Sequence, residues 1–153
     1  MAEIRFGLVE GPGKGREVRL AASQTFYRRG GKFVKLVSGY ATLCASTAAT
    51  IQGWLETPKD AAGYTYWTSS STAGGDNVFM IYADDDNAFE IPNKAASCTA
   101  SDIGAGAKII IDSGVQKGQR VDTAASSALS IVDVDVTNNT LIVKVLPANR
   151  VIV

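Results

Sequence analysis

Ile131-Val132-Asp133-Val134-Asp135-Val136, Thr137-Asn138-Asn139-Thr140 and Leu141-Ile142-Val143-Lys144-Val145-Leu146 follow one another near the end of the chain. The first run alternates apolar and acidic residues with a period of two, the period of a strand with one wet face. The last run is rich in β-branched residues. The Asn-Asn pair between them tolerates the positive φ that a tight connection needs. Together the three segments predict a β-hairpin. Arg150-Val151-Ile152-Val153, after Pro147, reads as a short final strand.

The same grammar recurs toward the N-terminus. Arg5-Phe6-Gly7-Leu8-Val9 leads into the turn-rich Gly11-Pro12-Gly13-Lys14-Gly15, and Glu17-Val18-Arg19-Leu20 alternates. Thr25–Arg28 and Lys32–Val37 flank Arg29-Gly30-Gly31 and predict a second hairpin. Asn77–Tyr82 and Ala88–Ile91 flank the acidic Asp84-Asp85-Asp86-Asn87 and predict a third, with that segment as its solvated tip. Ala49–Leu55 and Lys108–Asp112 read as further strands. Short strands at this spacing, punctuated by Gly, Asn and Asp, predict an all-β sandwich or barrel. No window of eleven or more residues holds a 3.6-residue period. At most one helical turn is expected, at Thr99–Gly104, where capping residues precede Gly104 and Gly106. Thr68–Gly75 is small and polar and predicts a mobile surface loop.

The chain has 153 residues, 46% hydrophobic and 20% charged. That predicts one ordered domain over residues 1–153. Fifteen basic residues balance fifteen acidic ones. This argues against nucleic acid as the main partner, which is held by excess cations. Histidine is absent, so Ser-His-Asp and Cys-His nucleophiles and His-ligated metals are excluded. Residues 1–6 mix charges of both signs, unlike a signal peptide, and no stretch is long and apolar enough to span a membrane. Cys44 and Cys98 stand alone and are expected to be free, buried thiols.

Several constellations have a chemical and a plain reading. Gly11–Arg16 lacks the spacing and the following Ser or Thr of a phosphate loop, and reads as a connection between strands. Asp84, Asp85 and Asp86 offer oxygen ligands to a hard cation, but extended backbone would point them in opposite directions. Asp133 and Asp135, on one strand face, would lie ~6.6–6.8 Å apart, within reach of glycoside hydrolysis. Acidic residues opposite Val132, Val134 and Val136 are equally the wet face of a half-buried strand. Trp54, Tyr64, Tyr66 and Trp67 cluster around Pro58 and could form a sugar-binding platform, or a packed core with subunit contacts. The overall expectation is a protein without catalysis, cofactor or metal.

Charge is unevenly placed. Residues 1–40 carry eight basic side chains against three acidic ones, and residues 41–140 carry five against twelve. Such asymmetry suits copies packing on one another or on an acidic shell. Arg5, Arg28, Arg29, Lys32, Lys35 and Arg150 are the candidate contact residues, with the apolar edge Val151, Ile152 and Val153.

Taken together, these features resemble the small decoration, or cement, proteins of bacteriophage heads. The chain is rich in Ala, Gly, Ser and Thr and lacks His. Arg29-Gly30-Gly31 is followed by the strand-like Thr50-Ile51-Gln52-Gly53-Trp54, and the tail from Ser130 to Val153 stays hydrophobic to its last residue. The resemblance implies a compact β-barrel or β-tulip, a homotrimer, and attachment to the major capsid protein on the exterior of the virion after synthesis in the host cytoplasm. It carries no single diagnostic motif. The alternative is a carbohydrate- or surface-binding β-module of a tail or fibre. Terminal segments 1–9 and 150–153 are strand-like and could pair with neighbouring subunits.

Overall fold

The computed structural model describes residues 6–45, 50–57, 65–84, 86–121 and 127–150. The protein is all-β. Its thirteen described strands are β1 (Gly7–Glu10), β2 (Gly15–Leu20), β3 (Thr25–Tyr27), β4 (Phe33–Val37), β5 (Tyr40–Leu43), β6 (Gly53–Leu55), β7 (Tyr66–Thr68), β8 (Asn77–Tyr82), β9 (Ala88–Pro92), β10 (Gly106–Asp112), β11 (Val115–Val121), β12 (Leu129–Asp135) and β13 (Thr140–Val145). Among the described residues two 3-10 turns interrupt them. Ala100–Asp102 is the helical turn expected there, held by the Thr99 N–H donating to Asp102 Oδ2 at 2.9 Å. The other, Pro147–Asn149, begins on a proline and was not foreseen.

The strands make a closed five-stranded barrel, β2-β5-β4-β6-β8, a six-stranded sheet, β1-β9-β13-β12-β10-β11, and a ribbon, β3-β7. The six-stranded sheet curls. Its last strand, β11, comes round to the residues just beyond β9, where Gly118 bridges Asn93 and accepts a 2.8 Å hydrogen bond from the Lys94 N–H.

The sheet and barrel share a wall. Adjacent residues Phe33 and Val34, Trp54 and Leu55, and Met80 and Ile81 are all buried. Side chains alternate across a strand, so Val34, Leu55 and Met80 fill the barrel while Phe33, Trp54 and Ile81 join the core of the curled sheet. Strands covered on both faces lose the apolar–polar alternation of a half-wet strand. Trp54 is the keystone of this wall. Its ring stacks on Phe89 at 5.4 Å and meets the Phe33 ring edge-on at 4.8 Å.

The hairpin predicted around Asn138-Asn139 is present as β12 and β13, with Asn139 at φ 55 in the connection. The alternation within it is broken, however. A bulge lies between Ile131 and Asp133, leaving Val132 exposed while Ile131 stays buried. One extra residue reverses the face of everything beyond it, so Val132 and Val134 do not share a buried face.

The two other expected hairpins are not hairpins. β3 pairs with β7, and β4 pairs with β5 and β6. Gly30 and Gly31 do not serve a hairpin turn. They let the chain pass close to β11: a Cβ on Gly31 would lie 2.6 Å from Gln116 Oε1 and from Ile91 Cδ1. Likewise β8 belongs to the barrel and β9 to the sheet. The true tight turns are Ser38-Gly39, between β4 and β5, and Ser113-Gly114, between β10 and β11. Both residues of each pair have positive φ, as a two-residue type I′ turn requires.

Thr68–Gly75 is tied down rather than free. Ser69 is buried, its hydroxyl donating to the Ala21 carbonyl and accepting from the Gln24 N–H, each at 2.8 Å. The Ser70 N–H donates to Asp76 Oδ2 and the Gly74 N–H to the Leu20 carbonyl. Small polar residues here follow the backbone closely instead of loosening it.

Candidate interaction surface

The contact residues expected from sequence fall in different environments. Arg5, Val151, Ile152 and Val153 lie outside the described residues. Arg28 and Arg29 are exposed at the exit of β3, and Lys35 is half-buried on β4. Arg150 turns back on its own fold: its Nε–H donates to the Val145 carbonyl at 3.0 Å, and its backbone bridges Ile51. Lys32 is buried, with only 7% of its surface accessible. Its Nζ donates to the Gly30 carbonyl at 3.2 Å and lies 6.0 Å from the centre of the Trp54 ring. It therefore leaves the exposed basic group.

Arg28 and Arg29 gain aromatic neighbours that sequence spacing did not reveal. On the ribbon, Phe26 and Trp67 are register partners whose rings stack at 6.1 Å against the barrel core. The alternate positions Tyr27 and Tyr66 then face outward, their rings 5.8 Å apart, and Tyr66 is 52% exposed. The arginines follow Tyr27 directly, and the Arg28 N–H donates to the Thr65 carbonyl at 2.9 Å. Tyrosine and arginine are among the side chains enriched in protein contacts.

The outer wall of the barrel carries a second mixed surface. Val18, Leu20, Val78 and Met80 point inward, so Glu17, Arg19 and Phe79 point out. Across β5 and β4 the same face continues through Tyr40 and Val37, which is paired with Tyr40 in register. Phe79 and Val37 remain exposed. In the curled sheet, β1 stands at one end of the strand order. Among the described residues it pairs only with β9, and its Val9 is 46% exposed.

The aromatic group read around Pro58 is not one platform. Trp54 is inside the core, Trp67 packs half-buried against Phe26, Tyr66 is outside, and Tyr64 lies outside the described residues. Their nearness in sequence arises from two different strands, β6 and β7.

The acidic candidates are occupied with local structure. Asp135 accepts from the N–H and the Nδ2–H of Asn138, and the backbone N–H holds its carboxyl below the usual range. Asp133 accepts from the Val134 N–H. Asp84 Oδ1 accepts from the Asp86 N–H, and Asp85 lies outside the described residues. Among the described residues no group of three or more acidic or cysteine side chains converges as a metal ligand set.

Sequence reasoning also missed the buried amides. Gln116 Oε1 accepts from the Phe33 N–H at 2.8 Å, and its Nε2 donates to the Phe33 and Cys44 carbonyls at 3.0 Å each. Gln52 Oε1 accepts from the Leu36 N–H, and Gln24 Oε1 from the Leu43 N–H. Asn87, fully buried, accepts from the Gly13 N–H and donates to the Tyr82 carbonyl. Each substitutes for a strand neighbour where the ladders end, as buried backbone polar groups demand.

Cys44 and Cys98 are unbonded and buried. Burial pushes the Cys44 thiol up to about 12 and raises that of Cys98 as well. A thiol reagent is expected to find neither in the native protein and both after unfolding; colorimetric titration with and without denaturant checks this.

Burial pulls the Lys32 ammonium from its ordinary 10.5 down to about 8. Between these values the unfolded chain binds the proton that the folded chain has released, so stability rises with pH. Below about 8 both states are charged, and the folded state bears the whole burial cost. Cys44 acts in the opposite sense from pH 9.0 to about 12, where the unfolded thiol ionises first. The difference between the wild type and Lys32→Met isolates the lysine. Urea unfolding at successive pH values is expected to show the wild type gaining up to about 3 kcal/mol on the variant across the window, each pKa unit being worth about 1.4 kcal/mol.

No protein-family model, curated protein or solved structure matches this chain.

Proposed function

We propose that the chain is a non-enzymatic structural protein of a bacteriophage virion. It binds the outside of the assembled capsid, as a homotrimer seated on the major capsid protein, and stabilises the shell. The observation that carries this reading is the position of β1, an edge strand with an exposed Val9 at the open end of the six-stranded sheet. An edge strand offers backbone N–H and C=O groups to an added strand from a neighbour. The Tyr27–Tyr66 face with Arg28 and Arg29 supplies the side-chain contacts that such an edge lacks. Stabilisation follows by mass action, since a protein that binds only the assembled shell shifts the equilibrium toward it.

The alternative of a sugar-binding module on a tail or fibre draws less support. Trp54 is buried, which leaves Tyr66 and Trp67 as its described aromatic residues.

The test is co-sedimentation with phage capsids, alongside mass by light scattering. The wild type is expected to form trimers and pellet with capsids. Val9→Lys places a charge on the edge, as natural edge strands do to prevent pairing. That variant is expected to keep its fold and lose at least tenfold in capsid affinity, and removing residues 150–153 is expected to weaken oligomers or attachment. A monomeric wild type that ignores capsids would overturn the proposal.

A further inference from the structure

The ribbon ends in a turn that sets two cations beside two aromatic rings. The Gly30 N–H donates to the Tyr27 carbonyl at 3.0 Å, so Arg28 and Arg29 are the central residues of a tight turn. Both are exposed. Tyr27 is braced by the turn between β10 and β11, where a Cβ on Gly114 would stand 3.2 Å from its Cε2. Tyr66 lies against that ring at 5.8 Å and is 52% exposed. A braced face of this kind has little side-chain freedom left to lose on contact.

The curled sheet carries the chemical opposite. Leu141 and Val143 of β13 and Phe89 and Ile91 of β9 belong to its core. Side chains alternate along a strand, so Ile142, Glu90 and Pro92 face outward. Beyond the bulge in β12, Val134 packs against the same core, which turns Asp133 and Asp135 out as well. Register brings these residues together. Ile142 lies opposite Asp133 on one flank and Glu90 on the other, and in the next outward row Thr140 lies opposite Asp135 and Pro92. The Thr140 hydroxyl donates to Glu90, and Asn138 donates to Asp135. An aliphatic centre is thus flanked by fixed carboxylates, and Lys144, two residues beyond Ile142, bounds it.

These charges are not consumed within the chain. Neither Arg29 nor Asp133 joins an ion pair among the described residues, where Lys117 holds Asp112 and Arg120 holds Asp102. Each face would repel its like, because facing charges of one sign oppose association, while unlike faces attract and fix orientation. Two different, complementary faces on one chain make a head-to-tail contact, and such contacts form rings where the rotation between copies closes.

We propose that the Tyr27–Tyr66 face, with Arg28 and Arg29, docks on the outer face around Ile142 of a second copy of this chain. Tyr66 packs on Ile142 and Pro92, and the arginines meet Glu90, Asp133 and Asp135. The inference rests on the reading of the chain as a homotrimer, whose contact between copies it names. The capsid takes no part in it.

Sedimentation velocity over a range of concentrations measures association of the intact chain. Arg29→Glu and Asp133→Lys, both at exposed positions, are each expected to weaken it by about tenfold or more, with the circular dichroism of the folded protein unchanged. The chain carrying both substitutions again has opposite charges across the contact and is expected to recover most of the loss. A trimer unmoved by either reversal, or one that the double variant fails to restore, would overturn the contact and leave the trimer standing. A wild type that is monomeric at every concentration would overturn both. Arg29→Glu that keeps its trimer but pellets less with capsids would assign the face to the capsid protein and so overturn the contact between copies.

Discussion

Trp54→Ala is expected to cost about 3–5 kcal/mol, the range for removing a buried large aromatic side chain. The residue is 2% exposed and packs on Phe89 and Phe33 at the wall shared by barrel and sheet. Deleting the indole leaves a cavity that neither side can close, because the flanking Val34 and Leu55 face the other way, into the barrel. Single domains are stable by only about 5–15 kcal/mol, so the variant should fall to the margin of folding. Urea unfolding followed by circular dichroism measures this without relying on the fluorophore removed. Tyr66→Ala is the contrast. That side chain is 52% exposed, and its loss should change stability by about 0.5 kcal/mol or less. A pair of equal losses would mean that the two aromatic residues belong to one cluster after all.

Gln116→Leu is expected to cost about 2–4 kcal/mol, since each buried polar group left without a partner costs about 1–3 kcal/mol. The leucine is similar in volume but removes the acceptor for the Phe33 N–H and the donor for the Cys44 carbonyl. The Phe33 carbonyl keeps a second bond from the Cys44 N–H, at 2.9 Å, which limits the loss. Gln116→Glu sharpens the test. It keeps the shape and the acceptor but places a carboxylate oxygen against the Phe33 and Cys44 carbonyls. Its cost should therefore fall as pH drops through the carboxyl's range and the protonated acid regains a donor. Thermal melts at several pH values would show that recovery. Stability of Gln116→Glu equal to the wild type throughout that range would show that the amide's donated hydrogen bonds do not hold β11 to β4.

Most strands can be read from the chain because their cause is local. Alternation in Glu17–Leu20, the β-branched run Leu141–Val145 and the Asn-containing turn at residue 139 act within a few residues. β11 escaped that reading. Its sequence, Val115-Gln116-Lys117-Gly118-Gln119-Arg120-Val121, is polar, yet Gln116 and Gly118 are its buried members. An amide that bonds to a distant backbone looks, in sequence, like any exposed glutamine. The candidate surface was partly readable in the same way. Arg28 and Arg29 can be named from charge alone, but their neighbour Tyr66 comes from a strand about forty residues later in the chain, and Lys32, of the same charge, is inside.

Composition and short-range pattern were enough to dictate an all-β protein, its hairpin around Asn138-Asn139 and the chemistries that a chain without histidine excludes. They act through side-chain period, turn stereochemistry and the inventory of functional groups, none of which needs a partner far along the chain. Which strands pair, which of four nearby aromatic residues is buried, and which of several cations loses its water were set by folding. Those outcomes depend on what packs across a wall from segments distant in sequence, and burial is a property of that packing rather than of the residue.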